Sequence, residues 1–195
     1  MQPSVLSQTL ACAHAGWTPS IGDPNIMGWV TVAVYAACAL VALHLWVRNP
    51  FHGPGASRER LFWGGVCLLM AFLGVNKELD LQTLMTVIGR CHAQLNGWYD
   101  ERQAVQRGFI RTMALSAFLL ALGIIWFLRA SLRRNILAVV GLAFVLGFVV
   151  IRAAGFHDVD KLISTEVMSI RVNSILELSG LVLILLNALP RIRHT

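Results

Sequence analysis

Long runs of apolar residues alternate with short polar segments over most of this chain. A helix needs about 20 mostly apolar residues to cross the hydrocarbon core of a bilayer. Five segments have or approach that length: 27–47, 61–79, 109–128, 136–156 and 170–189. The fourth reaches it only with Arg152 inside the span, and the fifth only with Arg171 and Glu177 inside. The pattern therefore predicts five transmembrane helices, with four as the alternative.

Basic residues are concentrated in every second polar segment. The segments 48–60, 129–134 and 191–195 hold half of the 16 Lys and Arg residues but only one of the 10 acidic residues, Glu59. Short loops rich in Lys and Arg stay on the cytoplasmic side of a membrane. The pattern therefore predicts an outside N-terminus and a cytoplasmic C-terminus. The outer side would then carry mixed acidic and basic residues.

The composition supports a membrane protein. Of the 195 residues, 56% are hydrophobic and 13% are charged, whereas soluble domains carry about 25% charge. The predicted fold is all-α, a polytopic helical bundle forming one domain over residues 1–195. Residues 1–27 contain no Lys or Arg and three prolines, which argues against a cleavable signal peptide. The net charge of +6 comes from basic residues in short loops that orient the protein in the bilayer, so we expect no nucleic-acid partner.

The polar segment after the second predicted span changes character. Beyond Asp80, apolar residues recur at helical spacing, which predicts an amphipathic helix at the outer surface; they are Leu81, Leu84, Met85 and Ile88. A polar loop from Trp98 to Gln103 follows. As the longest predicted connection outside the membrane, this loop is the expected contact for a membrane protein partner.

A charged stretch ends the second apolar run without an intervening Pro or Gly. Asn76 and Asp80 are four residues apart and would share one helix face, and Lys77 is three residues from Asp80. Charges at the edge of a span are costly unless they are paired, hydrated or used. The alternative is that Lys77 extends to the headgroups and Glu78 faces water.

Glu177 is the most informative polar residue. It lies seven residues after Ile170, about 10 Å into the fifth predicted span, with Asn173 one turn before it on the same face. A carboxyl group at that depth is either protonated or paired. Its candidate partners are Lys77, Arg152 and Arg171. Two alternatives stay open: a structural ion pair between helices, or a general-acid or proton-relay carboxyl group.

Two further groups carry possible chemistry. His157, Asp158 and Asp160 are ligand-type side chains close together, suited to zinc, iron or manganese; alternatively, Asp160 caps the next helix. Cys12 and Cys91 both fall on the predicted outer side, where an oxidising compartment would allow a disulfide. No established nucleophile or cofactor motif accompanies them, and the sequence assigns no cofactor.

Three stretches resemble those of small uncharacterised bacterial inner-membrane proteins. They are Ile21-Gly22-Asp23-Pro24 with Gly28-Trp29, then Asn76-Lys77-Glu78-Leu79-Asp80-Leu81-Gln82, and Gly97-Trp98-Tyr99. The resemblance covers most of the chain. It implies a multi-pass protein of a bacterial inner membrane, whose outer side is the periplasm, and it implies no activity.

Two functions follow as hypotheses. In the first, the polar residues form a periplasm-facing site for a membrane lipid or lipid-linked envelope substrate. Glu177 and Asp80 would act as acid and base. Five residues would hold a phosphate or carboxylate: Lys77, Arg152, Arg171, Asn76 and Asn173. In the second, the protein is a non-catalytic subunit or assembly factor of a membrane complex, and the same side chains join helices.

Overall fold

The computed structural model describes residues 4–17, 26–79, 81–97, 102–154, 166–167 and 170–192. Within these residues the chain forms seven helices and one two-stranded antiparallel pair. The elements in chain order are α1 (Val5–Gly16), α2 (Ile26–Arg48), α3 (Ala56–Leu79), α4 (Leu81–Leu95), α5 (Arg102–Phe127), α6 (Leu132–Ala154), β1 (Glu166–Val167), β2 (Ile170–Arg171) and α7 (Val172–Ile192). The predicted all-α class is confirmed.

Three of the described helices are long and apolar enough to cross a membrane. They are Ile26–Arg48, Ala56–Leu79 and Leu132–Val150, and α5 adds a shorter apolar segment, Arg111–Phe127. These lengths and compositions indicate a multi-span membrane protein. The number of five spans stays a prediction.

Several helices extend beyond the apolar runs that predicted them. α3 begins at Ala56 instead of residue 61, and α5 begins at Arg102 instead of residue 109. Hydropathy detects the part of a helix that suits lipid, whereas backbone hydrogen bonds continue into polar flanking residues. As a result, Arg102 and Gln103 of the predicted loop belong to α5, and residues 98–101 of that loop lie outside the described residues.

The short strand pair before α7 was not expected from the sequence. Residue Val167 pairs with Ile170, and Glu166 pairs with Arg171. β-Branched residues such as Val167 and Ile170 favour extended backbone. α7 therefore begins at Val172, two residues later than the predicted fifth span.

Two helices pack mainly against each other. α4 is the amphipathic helix that the sequence predicted, and α1 packs against it. α1 was not predicted, although Ser4 gives a recognisable start by accepting a hydrogen bond from the Ser7 N–H at 3.3 Å. Cys12 of α1 and Cys91 of α4 are joined by a disulfide, with their Cα atoms 6.0 Å apart.

The remaining helices form a bundle in which neighbours pack in the order α3, α2, α7, α6 and α5. Buried positions on the three helices α2, α3 and α7 alternate at spacings of three and four residues, the pattern of a helix with one packed face. In α2 they are Thr31, Tyr35, Cys38, Ala42 and Leu45. In α3 they include Glu59, Trp63, Val66, Met70 and Leu73, and in α7 Glu177, Leu181, Ile184 and Ala188.

The helices α6 and α7 approach each other closely at two glycines. A Cβ atom added to Gly141 would lie 2.5 Å from the Gly180 carbonyl oxygen, and one added to Gly180 would lie 2.8 Å from the Gly141 carbonyl oxygen. Only hydrogen in place of a side chain allows this backbone approach. Small residues serve the same purpose at helix interfaces in membranes.

We predict that Gly141→Ala destabilises the protein by about 1–3 kcal/mol, because the added methyl group meets backbone atoms that cannot move independently. The matched control is Gly147→Ala in the same helix, where an added Cβ has no neighbour within 4 Å. Thermal unfolding in mild detergent compares the two variants. Equal unfolding temperatures would contradict the proposed role of the crossing.

The disulfide gives a second prediction. In protein from a non-reducing membrane preparation, Cys12 and Cys91 should resist a maleimide reagent until a reductant is added. Reduction in denaturant should then add two labels per chain, seen as a gel shift. The Cys12→Ser variant should expose Cys91 without reductant. An identical labelling pattern with and without reductant would rule out the bond.

Candidate functional site

Two buried carboxylates lie near opposite ends of the helical bundle, Glu59 in α3 and Glu177 in α7. Glu177 is paired with Lys77 of α3. Glu59 is paired with Arg134 of α6 and Arg191 of α7. At 1.5 Å per residue, Glu59 and Lys77 are about 27 Å apart along α3. This separation is close to the roughly 30 Å thickness of the hydrocarbon core. The distance between the two clusters along the bundle is therefore similar to the thickness of that core.

The cluster around Glu177 joins three helices. The Tyr35 hydroxyl of α2 donates a hydrogen bond to Glu177 Oε1 at 2.9 Å, and Lys77 Nζ of α3 donates to Glu177 Oε2 at 3.0 Å. The side chains of Lys77 and Glu177 are only 7% and 5% exposed. An ammonium, a phenol and a carboxylate thus meet inside the bundle. We call these three residues the outer triad.

The sequence spacing explains why these residues meet. In α3 the buried stripe of Glu59, Met70 and Leu73 continues at Lys77, four residues further on. In α7 the stripe of Leu181 and later residues begins with Glu177. Both charged residues therefore replace an apolar residue at the end of a packed stripe.

The triad is a tight electrostatic unit. Its carboxylate accepts one charge-assisted hydrogen bond from Lys77 and one from Tyr35, so both oxygens are engaged. Next to it, the Cys38 thiol of α2 contacts the Leu181 carbonyl oxygen at 3.6 Å. Removal of the Lys77 charge would therefore leave the Glu177 carboxylate buried without this cation.

The other predicted site residues differ in how much of each the structure describes. Asn76 precedes Lys77 and is half-buried. Arg152 lies in the last turn of α6, Arg171 in β2 and Asn173 in the first turn of α7. For these three residues the structure describes the backbone only. Four residues lie outside the described residues: Asp80, His157, Asp158 and Asp160.

The cluster around Glu59 was missed by sequence reasoning. The Glu59 side chain is 1% exposed, with Oε2 3.0 Å from Arg134 Nη2 and Oε1 3.6 Å from Arg191 Nη2. Asn135 Nδ2 also donates to Glu59 Oε1 at 2.9 Å. These contacts tie α3 to α6 and α7. A usable signal existed, because Glu59 is the single acidic residue among the basic segments.

Further hydrogen bonds connect this inner cluster to the backbone. Arg134 donates to the carbonyl oxygen of His52 at 3.1 Å, and Asn187 Nδ2 donates to the Arg134 carbonyl oxygen at 3.0 Å. Arg191 donates to Asn187 Oδ1 at 2.8 Å and to the Arg134 carbonyl oxygen. The inner cluster thus has a dense set of structural contacts that hold the ends of three helices and one loop.

Among the residues that the structure describes, no group of three or more His, Cys, Asp and Glu side chains is placed to hold a metal ion. The metal hypothesis for His157, Asp158 and Asp160 stays a prediction.

The comparisons with known proteins do not identify a family for this chain. The chain matches no family model, and the searches of curated proteins and of solved structures give no significant match. The resemblance to small bacterial inner-membrane proteins therefore stays a prediction. The helices themselves show a helical protein with three candidate membrane spans.

We predict that Lys77→Met lowers stability by about 3–5 kcal/mol, because it leaves the Glu177 carboxylate buried without its cation. Adding Glu177→Leu should restore most of this loss, since an apolar pair of similar volume can replace a buried ion pair. Thermal unfolding of the two single variants and the double variant in one detergent measures this coupling. Additive losses in the double variant would contradict direct pairing.

Proposed function

We propose that the chain is a five-span protein of a bacterial inner membrane, with its N-terminus and the outer triad on the periplasmic side. The basic segments support this orientation through the positive-inside rule. The disulfide between Cys12 and Cys91 supports it independently, because it joins α1 to α4 at the predicted outer side and disulfides persist in oxidising compartments.

The function that this geometry supports best is action on a membrane lipid or lipid-linked envelope substrate from the periplasmic side. The observation that carries this proposal is the convergence of Tyr35, Lys77 and Glu177 from three helices within hydrogen-bond distance. A buried ion pair often contributes little more to stability than apolar residues of the same volume. Ionisable groups at membrane depth are therefore candidates for function first.

Each member of the triad has a suitable role. The Lys77 ammonium carries the charge needed to bind a phosphate or carboxylate of the substrate. Such a group would compete with Glu177 for Lys77 and free the carboxylate to accept a proton. In the proposed site Asp80 is the second acid or base. Arg152, Arg171, Asn76 and Asn173 complete the anion-binding side.

Backbone positions agree with this assignment. α6 ends at Ala154 and α7 begins at Val172, so Arg152 in the last turn of α6 and Asn173 in the first turn of α7 flank the segment that connects these two packed helices. Glu177 follows in the second turn of α7. The proposed anion-binding residues therefore come from the same end of the bundle as the triad.

A second candidate is a non-catalytic subunit or assembly factor of a membrane complex. This candidate is favoured because both carboxylate oxygens of Glu177 already have hydrogen-bond partners inside the protein. In this alternative, the three residues join helices, and the loop that begins at Trp98 provides the contact with the partner.

Native mass spectrometry of the mildly solubilised protein, with elemental analysis of the same sample, tests the two candidates. If the triad acts on a lipid, the wild type should carry a discrete lipid mass, and Lys77→Met/Glu177→Leu should lose it while remaining folded. Tyr35→Phe is the matched control, because it keeps the ring and removes one hydroxyl; it should reduce occupancy partially.

The opposite result is equally informative. A lipid-free wild type that carries a second polypeptide in fixed ratio would reject the lipid hypothesis in favour of the subunit. That polypeptide should be retained by the double apolar variant and lost on changing Trp98 to Ala. Retention of the same lipid by the double variant at full occupancy would also reject the role of the triad.

A further inference from the structure

A cavity of about 430 Å³ opens at the end of the bundle opposite the outer triad. Its walls come from two connections: the turn between α2 and α3 with the first residues of α3, and the turn between α5 and α6. Arg58 of α3 and Arg129 after α5 both line it. The site proposed above does not use this cavity.

Aromatic rings hold the two arginine side chains in place. The Arg58 guanidinium carbon lies 5.9 Å from the centre of the Phe127 ring, and that of Arg129 lies 5.5 Å from the centre of the Trp126 ring. Such cation–π contacts orient a guanidinium without neutralising it. Its N–H groups stay available for a planar, bidentate contact with phosphate.

No carboxylate neutralises these arginines within the described part of the chain. Glu59 follows Arg58 directly, but its side chain is buried and lies between Arg134 and Arg191 in the inner cluster. The acid nearest in sequence therefore points its charge into the bundle. Two positive charges are left at the wall of one cavity.

The turn shapes the cavity and adds to its positive potential. Gly53 and Gly55 have φ values of 81° and 86°, which side chains rarely adopt. A Cβ atom on Gly55 would lie 3.1 Å from the Ala130 Cβ, so glycine allows the two walls to approach. α3 begins at Ala56, and the first turn of a helix carries partial positive charge.

Apolar surface continues beside the arginines. Trp126 is 67% exposed and Leu61, one turn after Arg58, is 62% exposed. Exposed tryptophan is typical of the membrane interface. A ligand that fits both surfaces has an anionic headgroup and acyl chains.

We propose that this cavity binds the phosphate group of an anionic phospholipid, with Arg58 and Arg129 as its ligands. The arginines contact the phosphate, the α3 N-terminus adds to the attraction, and the acyl chains extend along Leu61 and Trp126. By the predicted orientation, this end meets the cytoplasmic leaflet, whose surface is negatively charged. Inorganic phosphate shares the headgroup chemistry, so the experiment includes it as a separate ligand.

The test uses full-length protein in mild detergent and native mass spectrometry with added phosphatidylglycerol or phosphatidylcholine. Wild-type protein should bind phosphatidylglycerol more tightly. The variant Arg58→Gln/Arg129→Gln should weaken that binding roughly 10- to 30-fold, since each guanidinium donates charge-assisted hydrogen bonds directly to the phosphate. The control Arg48→Gln/Arg133→Gln removes two exposed arginines from the same end, outside the cavity lining, and should weaken it less than about threefold, as expected for diffuse attraction alone.

Inorganic phosphate distinguishes the two sources of the ligand. If millimolar phosphate does not displace phosphatidylglycerol, the ligand is the lipid; if it does, with the same dependence on Arg58 and Arg129, the ligand is the phosphate group itself. An equal loss in both double variants, or no preference for phosphatidylglycerol in the wild type, would overturn the proposal. Unfolding temperatures of both variants, expected to match wild type, exclude misfolding as the cause.

Discussion

The structure depends on the rule that a charge inside an apolar bundle needs an opposite charge beside it. Glu59 and Glu177 are buried carboxylates, and each has a cation from another helix within 4 Å. Lys77 of α3 pairs with Glu177 of α7, and Glu59 of α3 pairs with Arg191 of α7. The two ion pairs run in opposite directions, so α3 and α7 are connected near both ends while α2 packs against both helices.

The apolar core between the two clusters explains why both pairs can form. Helices that pack along a stripe of three- and four-residue spacing bring the same faces together over their whole length. Any polar residue at the end of such a stripe then meets its counterpart on the neighbouring helix. The approach of Gly141 to Gly180 holds α6 close to α7, which brings Arg134 and Asn135 of α6 within reach of Glu59. Packing in the middle thus determines the polar contacts at the ends.

Much of this could be predicted, and the gaps have physical causes. Hydropathy located the long helices because lipid and protein interiors both select apolar residues. It placed the starts of α3 and α5 too late, since their polar first turns carry no hydropathy signal. Lys77 was among the candidate partners of Glu177 because both stretches fall on the predicted outer side of the membrane. The sequence assigns Glu59 no role, because charges in a basic loop indicate orientation and do not show which of them continues a buried stripe.

The two clusters differ in a way that bears on their roles. Glu59 has two arginines and Asn135, and Arg191 also binds the Asn187 side chain, so a competing ligand would have to replace many contacts at once. Glu177 has one ammonium and one phenol as its described partners. An incoming anion that takes Lys77 would keep that ammonium paired and leave Glu177 bonded to Tyr35. Fewer contacts would have to be replaced at the outer triad than at the inner cluster, and we therefore propose the outer triad as the reactive site.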